Sequence, residues 1–152
     1  MKLLVILILL ALLAIGVRLV APRLGHSVAG GIVELEGRVS LADCPDTPNC
    51  HRDQFTISAD PSLAISTLAD IVSGQPGVKI ITQGSDYLHA TYSTRVMGFV
   101  DDVEFLLDTD GDAQTGSQPR VLVRSASRLG KSDLGANAKR VEALRRDSIN
   151  RL

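Results

Sequence analysis

Four charged residues carry the strongest chemical suggestion in this chain: Arg95, Asp102, Glu104 and Arg124. They fall in stretches whose side chains alternate between two faces, as β-strands require. If those strands pair as neighbours, the four share one face with His89 and Ser93, and Ser127 and Arg128 join from the strand end. An Arg guanidinium offers a planar fork of donors that grips carboxylate or phosphate bidentately. The cluster is therefore expected to bind a small polar or anionic ligand, a lipid headgroup among them. Opposite charges facing each other across strands also steady a sheet, by roughly 0.2–1 kcal/mol per pair. A structural salt-bridge network is thus the competing role for the same residues.

A catalytic reading needs more than this. Ser125 or Ser127 can be drawn as a triad with His89 and Asp101, but neither serine sits in the Gly-x-Ser-x-Gly elbow that exposes a nucleophile. Asp101, Asp102 and Glu104 supply carboxylates, yet adjacent strand residues face opposite sides. No catalytic residue is assigned. A hydrolase or other enzyme using His89 and the strand Arg124–Ser127 stands as the alternative function.

Two further motifs could hold chemistry. In Cys44-Pro-Asp-Thr-Pro-Asn-Cys50, the prolines favour turns that bring the thiols together. In an exported domain this reads as a disulfide, adding on the order of 2 kcal/mol through loop entropy. A metal site of Cys44, Cys50 and His51 lacks a clear fourth ligand, and a redox couple lacks the C-x-x-C spacing. The run Asp108-Thr-Asp110-Gly-Asp112 invites a calcium loop. An EF-hand is excluded, because its sixth position is Ala113 and its twelfth Pro119. A solvated hairpin loop accounts for the same residues. No metal and no cofactor is expected.

The elements that must position these residues follow from periodicity. Asp60-Pro61 caps a helix whose Ala64, Leu68, Ile71 and Val72 share one face, with Gly74 and Pro76 ending it. Val78–Thr82 reads as a strand and Gly84–Asp86 as a turn. Tyr87–Arg95 alternates, placing Leu88, Ala90, Tyr92 and Thr94 against Tyr87, His89, Thr91, Ser93 and Arg95. After a turn at Met97-Gly98, Val103, Phe105 and Leu107 oppose Asp102, Glu104 and Leu106. In Arg120–Arg128, Val121 and Val123 oppose Leu122, Arg124 and Ala126. A final helix is capped by Ser132 or Asp133 and buries Leu134, Ala138, Val141 and Leu144. Its Lys139, Arg140, Arg145, Arg146 and Arg151 are expected to keep its outer face wet. The fold class is α+β: an antiparallel β-meander with two helices packed on one face, preceded by an N-terminal hydrophobic anchor helix.

That N-terminal segment sets the domain organisation. Met1-Lys2 precedes fifteen unbroken apolar residues, Leu3 to Val17, which read as an uncleaved membrane anchor or signal over residues 1–24. Ser27-Val28-Ala29 lies too far downstream for cleavage, and Pro22 spoils Leu19-Val20-Ala21. No cysteine follows the apolar run, which excludes a bacterial lipid-anchored N-terminus. Residues 25–43 read as a linker with a weak strand signal at Ile32–Leu41, and residues 44–152 as the α+β domain. Lys2 on one side and Arg18 and Arg23 on the other leave orientation undecided by charge. The cysteine pair favours the periplasmic side. A net charge of −1 offers no bulk attraction for nucleic acid, and the absence of Trp removes the best base-stacking side chain. The expected partners are the membrane, through the N-terminal helix, and a small ligand or an envelope protein.

At CPDTPNC, MGFVDDVEF and VRSASRLGKSDLGANAKRVEAL the chain resembles the domain-of-unknown-function family numbered fourteen ninety-nine, over roughly Cys44 to Leu144. The last of these runs is the specific one; the loop after Asp108 is longer than the family pattern suggests. The resemblance implies a small exported or membrane-anchored domain of the bacterial, cyanobacterial or plastid kind. It assigns no activity and carries over no catalytic residue. The reading that follows is a non-catalytic envelope binding module, or alternatively a purely structural envelope protein.

Overall fold

The computed structural model describes residues 2–24, 30–58, 60–109 and 118–152. The expected linker residues His26–Ala29 and the Asp110–Gly116 part of the calcium reading lie outside the described residues. Helix α1 spans Lys2–Leu24. Strands β1 (Ile32–Leu35) and β2 (Arg38–Leu41) form a hairpin, and β3 covers Cys50–Thr56. Helix α2 (Ala64–Ser73) follows, then β4 (Val78–Gln83), β5 (Tyr87–Ser93), β6 (Val100–Asp108), β7 (Arg120–Ser127) and α3 (Ala136–Ser148). The five later strands form one antiparallel sheet in the order β3-β7-β6-β5-β4. The fold is α+β, with antiparallel sheets and three helices.

Alternation divides the sheet as its period of two requires. Leu88, Ala90, Val103, Phe105, Val121 and Val123 are buried on one face, where they form a single core with α2 and α3. Asp60 accepts from the Ser62 N–H (2.9 Å) to start the turn before α2. That helix contributes Ile65, Leu68 and Val72, and α3 contributes Val141 and Leu144. The α2–β4 connection needs glycine at one point. At Gly77 (φ 77°) an added Cβ would stand 2.4 Å from the Ser93 carbonyl oxygen.

Three expectations change here. The segment between anchor and disulfide is not only a linker: its β1–β2 hairpin lies across β6 and β7 on the face opposite the helices. Leu134 is not a core residue of α3. It precedes the helix at φ 56° and is 90% exposed. The buried positions of α3 are Asn137, Val141, Leu144 and Ser148. Asp133, in the segment expected to cap the helix, does so by accepting from the N–H groups of Gly135 and Asn137 (2.9 and 2.7 Å). Nor do all the cations of α3 face solvent: Arg140 and Arg145 turn back to the sheet, as described below. Among the described residues no helix is long and apolar enough to cross a membrane. The unbroken run Leu3–Val17 is fifteen residues, short of the about 20 that span the hydrocarbon of a bilayer.

Candidate functional site

The polar face brings Glu104 and Arg124 together in the middle of the sheet, as directly opposed partners on β6 and β7. Glu104 is completely buried and Arg124 is 3% exposed; Nη1 donates to Oε2 across 3.1 Å. A buried carboxylate is tolerable only when its acceptor positions are filled. Here the chain fills them itself. The Tyr87 hydroxyl donates to Oε1 at 2.7 Å, and the backbone N–H groups of Gly31 and Gly30 reach Oε1 and Oε2 at 2.8 and 3.2 Å. Burial first, and then the hydrogen bond to Glu104, push the Tyr87 hydroxyl pKa well up. Gly30 has to be glycine for contact reasons, since an added Cβ would meet the Ala42 methyl at 2.3 Å and the Arg124 guanidinium carbon at 3.3 Å. The hairpin is thus clamped onto the charge pair that was expected to face a ligand.

Beside this pair, Asp102 is also completely buried. Arg128 grips it with a bidentate fork, Nε to Oδ2 and Nη2 to Oδ1, both 2.8 Å, and His89 Nε2 lies 2.8 Å from Oδ1. Burial alone would raise the Asp102 pKa; the bonds from Arg128 and His89 outweigh it and hold the carboxyl below its usual value.

Of the six expected ligand-binding residues, Asp102, Glu104, Arg124 and Arg128 share this face. Arg95 does not join them. Strand β5 ends at Ser93, and Arg95 sits exposed in the following turn. Ser127 is also elsewhere, because it pairs with Asp101 on the helix side of the sheet. The serine triad is not assembled either. Ser125 and Asp101 lie on the helix side and His89 on the other, with the sheet between them.

The helix side holds a second polar cluster that strand alternation did not reveal. Asn137, 1% exposed on α3, accepts from Ser125 and Arg140 and donates to the Asn49 carbonyl (3.0 Å), Ser127 (2.9 Å) and Asp133 (2.8 Å). Arg140 also donates to Asp101 at 2.7 Å and lies 4.6 Å over the Tyr92 ring. Burial pushes the Tyr92 hydroxyl up to about 12, against the pull of Arg140. Asn49, between the cysteines, donates to the Gly130 carbonyl at 2.8 Å and accepts from the Ser127 N–H at 2.9 Å. Cys44 and Cys50 are joined in a disulfide, so neither sulfur is a thiolate ligand or nucleophile. Arg145 pairs with Asp53 and lies 5.3 Å over Phe55. The available signal was the spacing Ser125-x-Ser127…Asp133…Asn137-x-x-Arg140, in which the last two residues recur on one helical face. Among the described residues no group of three or more His, Cys, Asp or Glu is placed to hold a metal.

What the polar face leaves open is a cleft of about 410 Å³ at its far end, beneath the hairpin tip. Leu106 and Leu122 line it with Arg38, Ser40, Asp86 and Arg120. Arg120 Nε bonds Asp108 at 2.9 Å.

The family described as "Protein of unknown function (DUF1499)" matches residues 40–147, and the chain belongs to that family. Neither the curated proteins nor the solved structures contain a match to it.

Proposed function

We propose that this member of the DUF1499 family is a non-catalytic binding module, tethered to a membrane by α1 on the periplasmic side, whose ligand is a small anionic molecule or headgroup held in the hairpin cleft. The cleft carries the reading. Arg38 borders this concavity with Arg120, which is paired with Asp108 but only half-buried, whereas in the Glu104–Arg124 and Asp102–Arg128 pairs the carboxylates are fully buried. Its mixed lining matches the usual form of a small-ligand site, an apolar surface with a few fixed polar groups. Tethering rests on the apolar side chains of α1: Leu3–Leu10, Leu12, Leu13 and Ile15 are exposed rather than packed on the domain. A helix apolar on all sides is at home in lipid.

Native mass spectrometry of the full chain, extracted gently from its own envelope, tests the proposal. A co-purifying anionic mass should be lost in Arg38→Ala and Arg120→Ala, each weakening affinity about tenfold, or roughly 1.4 kcal/mol. Loss of the mass in Arg124→Ala alone, with Arg38→Ala and Arg120→Ala unchanged, would move the site to the buried pair. A second reading, a purely structural envelope protein, is favoured by one observation: Ser125, Ser127, Asp133, Asn137 and Arg140 bond one another, and Asn137 bonds the Asn49 carbonyl of the disulfide loop. A bare chain mass in all variants would support it.

A further inference from the structure

One end of the domain carries exposed apolar side chains with no counterpart in the core. Strand β5 leads into the turn 94–99, and β7 leads into the segment 128–135; the two meet at that end, where Arg128 N–H donates to the Val100 carbonyl at 3.0 Å. Val96 is 70% exposed, Phe99 40% and Leu134 90%. Between them lies an apolar concavity of about 330 Å³ lined by Phe99, Leu129, Leu134 and Ala136.

These side chains are held out, not left loose. Thr94 exchanges backbone bonds with Phe99 and Gly98, and its hydroxyl accepts from the Phe99 N–H at 3.0 Å. Leu134 is held at φ 56° next to Gly135 at φ 78°, by the Asp133 carboxylate bonding the chain on its far side. A leucine in the left-handed region is unfavourable, and an exposed one gains nothing from the core in return. Strain of this kind points to a role outside the fold.

The path of the chain says what this end faces. The N–H groups of Gly30 and Gly31 are fixed on Glu104, at mid-sheet. From there β1 runs toward the hairpin tip, beside Asp108 and Arg120, at the opposite end of the sheet. Residue 30 therefore stands at the hairpin's inner end, on the side of its tip toward Val100, the end bearing Val96, Phe99 and Leu134. Arg95 and Lys131 stand exposed in the same two turns; the acids nearby are Asp46, exposed in the disulfide loop, and the half-buried Asp133, whose carboxylate is taken up by the Gly135 and Asn137 N–H groups. Apolar side chains flanked by cations are what a phospholipid surface accepts: hydrocarbon below the headgroups, phosphate beside them.

We propose that this tip rests on the bilayer that holds α1, with Leu134, Phe99 and Val96 entering the interface and Arg95 and Lys131 at the phosphates. The inference rests on the tethered reading of α1. It fixes the domain's orientation, turning the hairpin cleft away from the membrane.

The chain has no Trp, so single tryptophans report position without background. The full chain is reconstituted in phosphatidylcholine–phosphatidylglycerol vesicles with brominated acyl chains, which quench indole by contact. Leu134→Trp and Phe99→Trp are the reporters, the second guarding against a misfolded first. Val39→Trp, on the hairpin, marks the opposite end, and Leu9→Trp marks the apolar run of α1. Emission from Leu134→Trp and Phe99→Trp is expected to fall about twofold, as for side chains in the headgroup–acyl boundary, with Val39→Trp unchanged and Leu9→Trp strongly quenched. Quenching of Leu9→Trp alone overturns the tip proposal while leaving the tether intact, and returns the patch to a protein partner. Equal quenching of Val39→Trp overturns the orientation. No quenching of Leu9→Trp removes the tether and the proposal with it.

Discussion

Replacing Glu104 by Gln keeps the side chain's shape and removes its charge, which isolates the role of the buried pair. Arg124 would remain 3% exposed without its carboxylate, and one of the oxygens now serving Tyr87, Gly30, Gly31 and Arg124 would become an NH2 group facing donors. Breaking one side of a buried ion pair costs about 3–5 kcal/mol. With a urea slope near 1.5 kcal/mol/M, about 3 kcal/mol moves the unfolding midpoint down by about 2 M. The loss should also be local. Amides of β1 and β2 should exchange faster in Glu104→Gln than core amides of β6, because Gly30 and Gly31 lose a charged acceptor. The double change Glu104→Leu, Arg124→Met should recover part of the loss, since no uncompensated charge is left. Full recovery is not expected, because Tyr87 and the two glycine N–H groups would still lack their acceptor. A midpoint shift of under about 0.5 M, with hairpin exchange unchanged, would refute the view that the charge pair is the hairpin's clamp.

Two other outcomes follow from the remaining clusters. Asn137→Ala should cost about 2–4 kcal/mol by leaving several buried polar groups unpartnered, read as a fall in melting temperature, whereas Ser132→Ala at an exposed position should stay within about 0.5 kcal/mol. Asp102 gives a pH signature. Its folded-state pKa is held below the ordinary value of 3.8, so the stability it contributes is fully present above that value and is lost as pH falls through the lower folded value. Asp102→Asn should therefore flatten the acid limb of a stability–pH curve below about pH 4 while lowering stability at neutral pH. An unchanged acid limb would count against the bidentate grip of Arg128.

The face assignments of β5, β6 and β7 were legible because strand side chains alternate with a strict period, and Val103, Phe105, Val121 and Val123 leave no choice of inward side. The same rule failed where it ran past an element's end. Alternation carried to Arg95 overlooks the bonds of Thr94 to Phe99 and Gly98, which close a turn after Ser93. Leu134 fits the apolar spacing of α3, but Asp133 binds the N–H of Asn137 and starts the helix after it. The hairpin's place on the polar face depends on bonds between Gly30 or Gly31 and Glu104, more than seventy residues apart, which no local pattern contains. Arg140 reads as an outer-face cation until Asp101 and the Tyr92 ring are brought beneath it.

The residues on which the family resemblance was read are thus poor places to look for this chain's chemistry. Ser125, Ser127, Asp133, Asn137 and Arg140 hold α3 to the sheet, and Asn49 ties the disulfide loop into the same bonds. Their hydrogen-bonding groups point at one another, so substituting them tests folding before it tests anything else. The buried acids of the polar face are in the same position, one under the hairpin and one under Arg128. A ligand or a surface can be met only by groups that the fold leaves unoccupied and exposed. Among the described residues, Arg38 at the hairpin cleft and, at the other end, Leu134 with Phe99 are left exposed in this way. Because these lie at opposite ends of one sheet, a membrane holding the second presents the first to the surrounding compartment. A loss of binding on changing Arg38 that leaves the quenching of Leu134→Trp untouched would separate the two proposed functions in one molecule.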